Sequence, residues 1–174
     1  LTNLMAGTIE AANRPEGGAK FTLTLPLRWL SDDAGKPLPA AKPVGRSDFS
    51  GHRVLIVEDN DLNMEIALEF LQSLGVVCEG AENGQQAVKM FNASAPGHYE
   101  MILMDVRMPV MNGYEATREI RSLAREDARQ IPIVAMTADA FSSDIKMALN
   151  AGMNEHLSKP VSIERLQEVL GQWL

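Results

Sequence analysis

Five residues of the sequence have side chains suited to phosphoryl chemistry, and each closely follows a short apolar run. They are Glu58, Asp59, Asp105, Thr137 and Lys159. If the apolar runs are parallel strands, their carboxyl ends share one edge of a sheet, which is where ligands bind in open α/β folds. The sequence therefore predicts that three acids, a hydroxyl and an ammonium lie close together.

Clustered acids need a positive partner. Two carboxylates about 4 Å apart repel by about 4 kcal/mol at an effective dielectric constant near 20, so protons or a hard cation must offset the repulsion. Carboxylate oxygens are the usual protein ligands of Mg²⁺. With Thr137 and Lys159 opposite, such a cation would neutralise phosphoryl oxygens while Asp105 attacks in line.

Each of these residues also has an ordinary structural explanation when it is taken singly. Asp59 could cap a helix, Thr137 could be a turn hydroxyl, and Lys159 could be a solvated surface charge. The prediction of a shared site therefore depends on the elements that bring the residues together.

Short apolar runs alternate with helical periodicity from residue 53 onward. The runs are residues 54–57, 76–78, 101–104, 131–136 and 155–157, and the helices are expected near residues 61–74, 84–94, 113–125, 143–151 and 163–173. Continuous apolar runs indicate strands that are covered on both faces. We predict an α/β sandwich with a five-stranded parallel sheet.

The part of the chain before residue 51 has a different character. Residues 6–27 alternate apolar and polar side chains around a Gly-Gly pair, which predicts a β-hairpin. Residues 28–50 are rich in Pro, Gly, Ala, Ser and charge, which is typical of a linker. The residues before the hairpin have helical spacing, so we expect the sequence to be a piece of a longer protein.

The composition excludes several classes of partner. The net charge of −7 and the absence of clustered Lys and Arg argue against nucleic acid. No apolar run approaches the roughly 20 residues of a membrane span. The single cysteine, Cys78, excludes an internal disulfide and fits a reducing compartment.

The first predicted helix has more apolar residues than one core-facing stripe needs. By helical-wheel angle, a first set is expected in the core: Leu62, Ile66, Phe70 and Leu74. A second set is left as a flank that could contact a partner: Met64, Leu68 and Leu71. A buried position is the alternative for Leu71.

Five motifs in order resemble the receiver domain of two-component signalling, in the form that is fused to hybrid histidine kinases. They are residues 54–60 with Asn63, then residues 104–113, 136–139, 152–154 and 157–160. The resemblance covers residues 52–174. It implies a doubly wound, flavodoxin-like (βα)5 sandwich with strand order 2-1-3-4-5.

The resemblance also implies roles for the acidic residues. Asp105 would accept a phosphoryl group from a phosphohistidine. Asp59 and Asp105 would bind Mg²⁺ directly, Glu58 would act through water, and the backbone carbonyl of Arg107 would be a further ligand. The sequence itself shows only that these residues are present at the matching positions.

Other roles follow from the same resemblance. Thr137 and Lys159 would each contact a phosphoryl oxygen, and the Lys159–Pro160 bond would be cis. His156 stands where the family usually has an aromatic switch partner for the threonine. It could be a metal ligand, a phosphoryl relay or a partly exposed ring that replaces the aromatic, so the coupling from Thr137 to the surface is left open.

The implied partners are the phosphohistidine domain of a histidine kinase and a histidine phosphotransfer domain. Residues 1–27 resemble the closing helix and hairpin of a GHKL-type ATP-binding domain. The nucleotide-binding glycine boxes and the kinase's own phosphorylated histidine are absent, so we expect this fragment to act only as an acceptor with self-dephosphorylation. Its expected location is the cytoplasmic side of an inner-membrane kinase.

Three other functions fit the pattern less well. Mg²⁺-dependent phosphatases that form an aspartyl-phosphate have an Asp-x-Asp motif at the nucleophile strand. This chain has Asp105 and Arg107 at the corresponding two positions. A pseudo-receiver would not need the complete set of acceptor residues. A dinucleotide-binding fold would need a Gly-x-Gly-x-x-Gly turn, which the sequence lacks.

Overall fold

The computed structural model describes residues 8–13, 19–24, 26, 48–138 and 142–174. These residues belong to two separate units. In the first unit, strands β1 (Thr8–Asn13) and β2 (Ala19–Thr24) pair antiparallel, with Ala11 opposite Phe21, so the predicted hairpin is confirmed. The predicted N-terminal helix and the linker up to residue 47 lie outside the described residues.

The second unit alternates strands with helices. Its elements are β3 (Arg53–Val57), α1 (Asp61–Ser73), β4 (Val77–Ala81), α2 (Gly84–Ala93), β5 (Met101–Asp105), α3 (Gly113–Ser122), α4 (Asp127–Gln130), β6 (Ile133–Thr137), α5 (Ser142–Ala151), β7 (Glu155–Ser158) and α6 (Ile163–Trp173). The five strands form a parallel sheet in the order β4-β3-β5-β6-β7. This is the predicted 2-1-3-4-5 order. Helix α4 was not predicted, because four residues are too short to show a helical period.

Alternate residues of the central strands point to opposite faces of the sheet. Each face packs in its own apolar cluster, so the sheet is covered on both faces. Leu55 and Ile102 belong to one apolar cluster, and their neighbours Ile56 and Leu103 belong to the other. All five residues of β5 are buried. The continuous apolar runs in the sequence therefore reflect two cores, one on each face of the sheet.

Polar side chains start several of the helices. The Asn60 side chain accepts a hydrogen bond from the Asn63 backbone N–H, 3.0 Å away, at the start of α1. Asn112 and Glu115 form a capping box at the start of α3, and Ser162 caps α6. These caps satisfy backbone N–H groups that have no partner inside the helix. Asn60 and Asn112 thereby begin helices just beyond the carboxyl edge of the sheet.

The rotation of α1 about its axis differs from the prediction. Leu71, predicted on the partner flank, is fully buried, and Ala67 is buried beside it. Leu62 and Ile66, predicted in the core, are 64% and 41% exposed. Apolar residues occur around most of this helix, so the helical wheel alone does not decide which stripe faces the sheet.

Small residues explain which stripe of α1 faces the sheet. Ala67 lets the helix approach the strands, and Gly80 of β4 leaves room for Met64. A Cβ atom at Gly80 would lie 3.2 Å from the Met64 sulfur. Met64 and Leu68 are therefore half-buried against the sheet rather than fully exposed.

The segment just before β3 is part of the packed unit. Phe49 is buried in the same apolar cluster as Leu71, and its backbone N–H donates to the Leu74 carbonyl, 3.3 Å away. This side chain packs in the core although the predicted linker runs to residue 50.

Among the residues that the structure describes, no helix is long and apolar enough to cross a membrane.

Candidate functional site

The predicted site residues converge at the carboxyl edge of the sheet. Glu58 follows β3, Asp105 and Thr137 are the last residues of β5 and β6, and Lys159 follows β7. Because these four strands are neighbours in the sheet, their ends lie side by side. Glu58, Asp105 and Thr137 are buried, Lys159 is half-buried, and Asp59 is exposed at the rim.

The three acids form one compact group. Glu58, Asp59 and Asp105 each offer a carboxylate oxygen, and these oxygens all lie within 4.8 Å of one another. Oxygen ligands from two or more carboxylates suit Mg²⁺. The three carboxylates and their spacing therefore fit a hard divalent cation. Two of these acids, Glu58 and Asp105, are buried, and Asp59 is exposed.

Lys159 supplies the positive charge next to these acids. Its Nζ lies 2.8 Å from Asp105 Oδ2 and 2.5 Å from Glu58 Oε2. Burial acts to lower the pKa of Lys159, but its hydrogen bonds to Asp105 and Glu58 raise the pKa above its ordinary value. The ammonium is thus kept charged and is shared between two buried carboxylates.

Asp105 remains incompletely compensated by this single ammonium. Burial raises its pKa, while Lys159 and the backbone N–H of Arg107 lower it and Glu58 raises it again. The net direction is upward from the ordinary aspartate value. A further cation at this position would favour the charged form of Asp105.

The loop after β5 is shaped by a close approach of the backbone to Gly113. A Cβ atom at Gly113 would lie 2.2 Å from the Asp105 carbonyl oxygen, so a larger residue does not fit there. The Gly113 N–H donates to the Val106 carbonyl, 3.1 Å away, and the Arg107 N–H donates to Asp105 Oδ1, 3.2 Å away. These contacts hold the Asp105 side chain at the open end of its strand.

The same loop contains a residue in an uncommon backbone conformation. Val110 has φ of +68°, and its side chain is 77% exposed. Positive φ is a genuine outlier for a β-branched residue. The outlier lies five positions after Asp105, on the loop that borders the acidic group.

Asn63 is a site residue to which sequence analysis assigned no role. Its side-chain Nδ2 donates to Glu58 Oε1 over 2.9 Å. The available signal was its position three residues after the helix cap Asn60, in the first turn of α1. An asparagine in that turn can reach back to the end of β3, but the sequence does not show which atom it contacts.

His156 lies outside the acidic group. The described residues contain one group of metal-ligating side chains, and it does not include His156. The ring is half-buried, with Nδ1 3.2 Å from Glu155 Oε1. The Lys159–Pro160 bond is cis, the form that the resemblance implies.

A cleft opens from the acidic site along one side of α1. It has a volume of about 340 Å³ and is lined by Glu58, Asn63, Ile66, Ala67, Met136, Lys159, Pro160 and Val161. Met64 and Leu68 line a different groove, between α1 and β4. Of the residues predicted as a partner surface, Leu71 is excluded by its burial. Ile66, which lines the cleft beside Glu58 and Lys159, is 41% exposed.

Several curated relatives match nearly the whole chain. A hybrid signal transduction histidine kinase from Dictyostelium discoideum is 30% identical over 176 residues, covering 98% of this chain and 14% of that protein. An aerobic respiration control sensor protein from Escherichia coli is 34% identical over 178 residues, covering 98% of this chain and 21% of that protein. The chain therefore spans a quarter or less of the length of either relative.

Solved structures match the second unit. The receiver domain of a sensor histidine kinase from Pseudomonas aeruginosa PAO1, with a magnesium ion coordinated in its active site cleft, is 43% identical with a TM-score of 0.64. That match covers 71% of this chain and 98% of the other. A Saccharomyces cerevisiae receiver domain, crystallised with a histidine phosphotransfer protein, is 33% identical with a TM-score of 0.62, covering 70% of this chain and 88% of that chain.

Residues 54–171 match the family described as the response regulator receiver domain. The matched range includes the whole parallel sheet except the first residue of β3, together with all of the residues that converge at its carboxyl edge. The chain belongs to the response regulator receiver domain family.

Proposed function

We propose that this domain accepts a phosphoryl group on Asp105 in a two-component phosphorelay. The observation that carries the proposal is the environment of the Asp105 carboxylate, which is buried between two further acids and the Lys159 ammonium. A carboxylate in this setting has cation ligands on one side and a positive charge on the other. That arrangement suits a nucleophile that receives a group with several negative oxygens.

The proposed reaction is an in-line transfer from a phosphohistidine. An Asp105 carboxylate oxygen attacks the phosphorus, the O–P bond forms, and the P–N bond breaks. The electron pair of the P–N bond returns to the imidazole nitrogen of the donor, which leaves as a neutral or protonated ring. Lys159 Nζ, already 2.8 Å from Asp105 Oδ2, is placed to contact a transferred phosphoryl oxygen. The Thr137 hydroxyl would contact another.

We further propose that Mg²⁺ is the cofactor. Asp59 and Asp105 would bind it directly, Glu58 would act through water, and the Arg107 carbonyl would be a further ligand. When bound, the cation supplies charge neutralisation at the phosphoryl oxygens. The compact acidic group supports this assignment, as does the magnesium ion described in the similar Pseudomonas aeruginosa receiver.

The proposed partners are a kinase phosphohistidine domain and a histidine phosphotransfer domain. Ile66 exposes apolar surface on the cleft that leads to Lys159, and Leu62 lies one turn earlier on α1. A partner that delivers a phosphohistidine to Asp105 must approach this edge, so an apolar contact there would orient it. The yeast receiver crystallised with a phosphotransfer protein supports this class of partner.

We propose that the parent protein is a hybrid histidine kinase and that this part acts only as its acceptor, with self-dephosphorylation. The matches to sensor kinases extend over 98% of the chain and so include the hairpin. The hairpin of β1 and β2 would then be the end of a GHKL-type ATP-binding domain, and residues 28–50 would link it to the receiver. The proposed location is the cytoplasmic side of the inner membrane.

Phosphoryl uptake by the purified chain tests the proposal. We expect incubation with Mg²⁺ and acetyl phosphate to add one acid-stable, base-labile phosphoryl group, and we expect Asp105→Asn to take up none. Removal of Mg²⁺ with EDTA should abolish labelling. Absence of labelling in the wild type, even from a phosphohistidine donor, would establish the pseudo-receiver alternative. Steady release of phosphate from many monoesters would instead indicate a phosphatase.

A further inference from the structure

We propose that Asn63 is a positioning residue that holds the Glu58 carboxylate in place for Mg²⁺ binding. The inference rests on the proposed function, because it assigns to Glu58 a part in holding the cation. It adds a residue that none of the predicted roles includes. The amide of Asn63 acts on the metal only through Glu58, and its effect should therefore depend on the presence of a carboxylate at position 58.

The contacts of the Glu58 carboxylate show why it needs a second hydrogen-bond donor besides Lys159. Its side chain is 3% exposed, so its oxygens must find partners inside the protein. Oε1 accepts from Asn63 Nδ2 over 2.9 Å, and Oε2 accepts from Lys159 Nζ over 2.5 Å. Among the described residues, these two donors account for the hydrogen bonds of the carboxylate.

Lys159 and Asn63, the two donors to Glu58, have different roles in the proposed reaction. Lys159 is shared with Asp105 and would contact the incoming phosphoryl group. As its ammonium moves toward that group, its hold on Glu58 weakens. Asn63 is given no contact with the phosphoryl group in the proposed reaction. Its amide can therefore keep the Glu58 carboxylate oriented before and during phosphoryl transfer.

Asn63 is itself held in a defined position. It lies in the first turn of α1, and its backbone N–H donates to the capping side chain of Asn60, 3.0 Å away. That backbone bond does not involve the Asn63 side chain, so an alanine at position 63 would keep the cap. The side-chain amide is therefore separable from the start of the helix.

Asn63→Ala has two opposing effects on the stability of the metal-free protein. Alanine is favoured over asparagine inside a helix, but Asn63→Ala leaves Glu58 Oε1 without its protein donor, so the metal-free variant should be folded with a somewhat lower urea midpoint than the wild type. Loss of a hydrogen bond to a metal-holding carboxylate typically weakens metal binding by 10–100-fold. We expect the lower end, about tenfold weaker Mg²⁺ binding, because Glu58 acts through water.

The experiment is a calorimetric Mg²⁺ titration of the whole chain, paired with urea unfolding in EDTA. Asn92→Ala is the matched control, since Asn92 is an exposed asparagine at the far end of α2. Wild type and Asn92→Ala should bind Mg²⁺ alike, whereas Asn63→Ala should stay folded in EDTA and bind about tenfold more weakly. Equal affinity of Asn63→Ala and wild type would overturn the inference.

A double-mutant cycle separates positioning from a general effect on the site. In a Glu58→Gln background no charge remains at position 58 for Asn63 to orient, so Asn63→Ala should change Mg²⁺ affinity by no more than about twofold. A full tenfold loss in that background would show that Asn63 acts independently of Glu58 and would overturn the proposal. If the wild type binds no Mg²⁺, the proposed function fails instead, and the two failures are thereby distinguished.

Discussion

Lys159 Nζ lies 2.8 Å from Asp105 Oδ2 and joins the end of β7 to the last residue of β5. The same ammonium contacts Glu58, so one positive charge serves two buried carboxylates. A cation bound by these acids would lie close to the Lys159 ammonium, and the two positive charges would repel each other. The ion pair therefore stabilises the metal-free site and would oppose the proposed binding of Mg²⁺.

Lys159→Met should separate these two effects. Without the competing ammonium, Mg²⁺ should bind about tenfold more tightly, because a repulsive charge near the acids is removed. Labelling by acetyl phosphate should become about 100-fold slower, because the positive contact to the phosphoryl oxygens is lost. Calorimetry and labelling kinetics measure the two quantities. If metal affinity and labelling rate fell together, Lys159 would not compete with the metal.

The burial of α1 can be tested with one substitution at two positions. Leu71→Ala should lower the free energy of unfolding by about 2–5 kcal/mol, because Leu71 is fully buried. Leu62→Ala should change it by no more than about 0.5 kcal/mol, because Leu62 is largely exposed. Urea unfolding of both variants makes the comparison, and a smaller loss for Leu71→Ala would contradict the observed rotation of α1.

Leu62→Ala also tests the proposed docking of a phosphotransfer partner. We expect it to slow phosphoryl transfer between the receiver and a histidine phosphotransfer domain, since it removes exposed apolar area one turn before Ile66, which lines the cleft beside Lys159. Labelling by acetyl phosphate should be unchanged, because that small donor needs no docking surface. Equal slowing of both reactions would place the defect at Asp105 rather than at the surface of α1.

The strained conformation of Val110 predicts a stabilising substitution. Asparagine tolerates positive φ better than a β-branched residue does, so Val110→Asn should raise the free energy of unfolding by about 1 kcal/mol. Val110→Ile keeps the branch at Cβ and should give no gain. Urea unfolding in EDTA measures both changes, and a gain from isoleucine would show that the backbone conformation is not the cause.

Asp127 predicts a pH-dependent part of the stability. The hydrogen bonds from Arg125 are the main cause that lowers its pKa to about 2. The stabilisation is complete above the unfolded pKa near 3.9, and it is lost as the pH falls toward about 2. Asp127→Asn should therefore cost about 1 kcal/mol or less at pH 7.

Urea unfolding at several pH values checks this prediction. The difference between wild type and Asp127→Asn should be constant from pH 7 to pH 5 and should shrink below about pH 4. A difference that stayed constant down to about pH 3 would mean that the ion pair with Arg125 does not stabilise the fold through its charge.

The local sequence pattern is sufficient to predict the sheet and the position of the site. Continuous apolar runs that alternate with helical segments indicate strands that are covered on both faces, and parallel strands bring their carboxyl ends to one edge. Glu58, Asp105 and Thr137 follow those runs directly in the sequence, and Lys159 lies two residues after the last predicted strand, so their meeting place could be predicted from local pattern. The hairpin was equally readable, because its alternation has a period of two.

The buried side of α1 and the side-chain hydrogen bonds at the site depend on packing between elements. Leu71 and Leu62 are both leucines on an apolar helix, and their burial depends on a rotation that the packing of Ala67 and Gly80 determines. The bond from Asn63 to Glu58 depends likewise on side-chain rotamers at the end of β3. Such choices are made by close packing between elements distant in the chain, which a local sequence pattern does not contain.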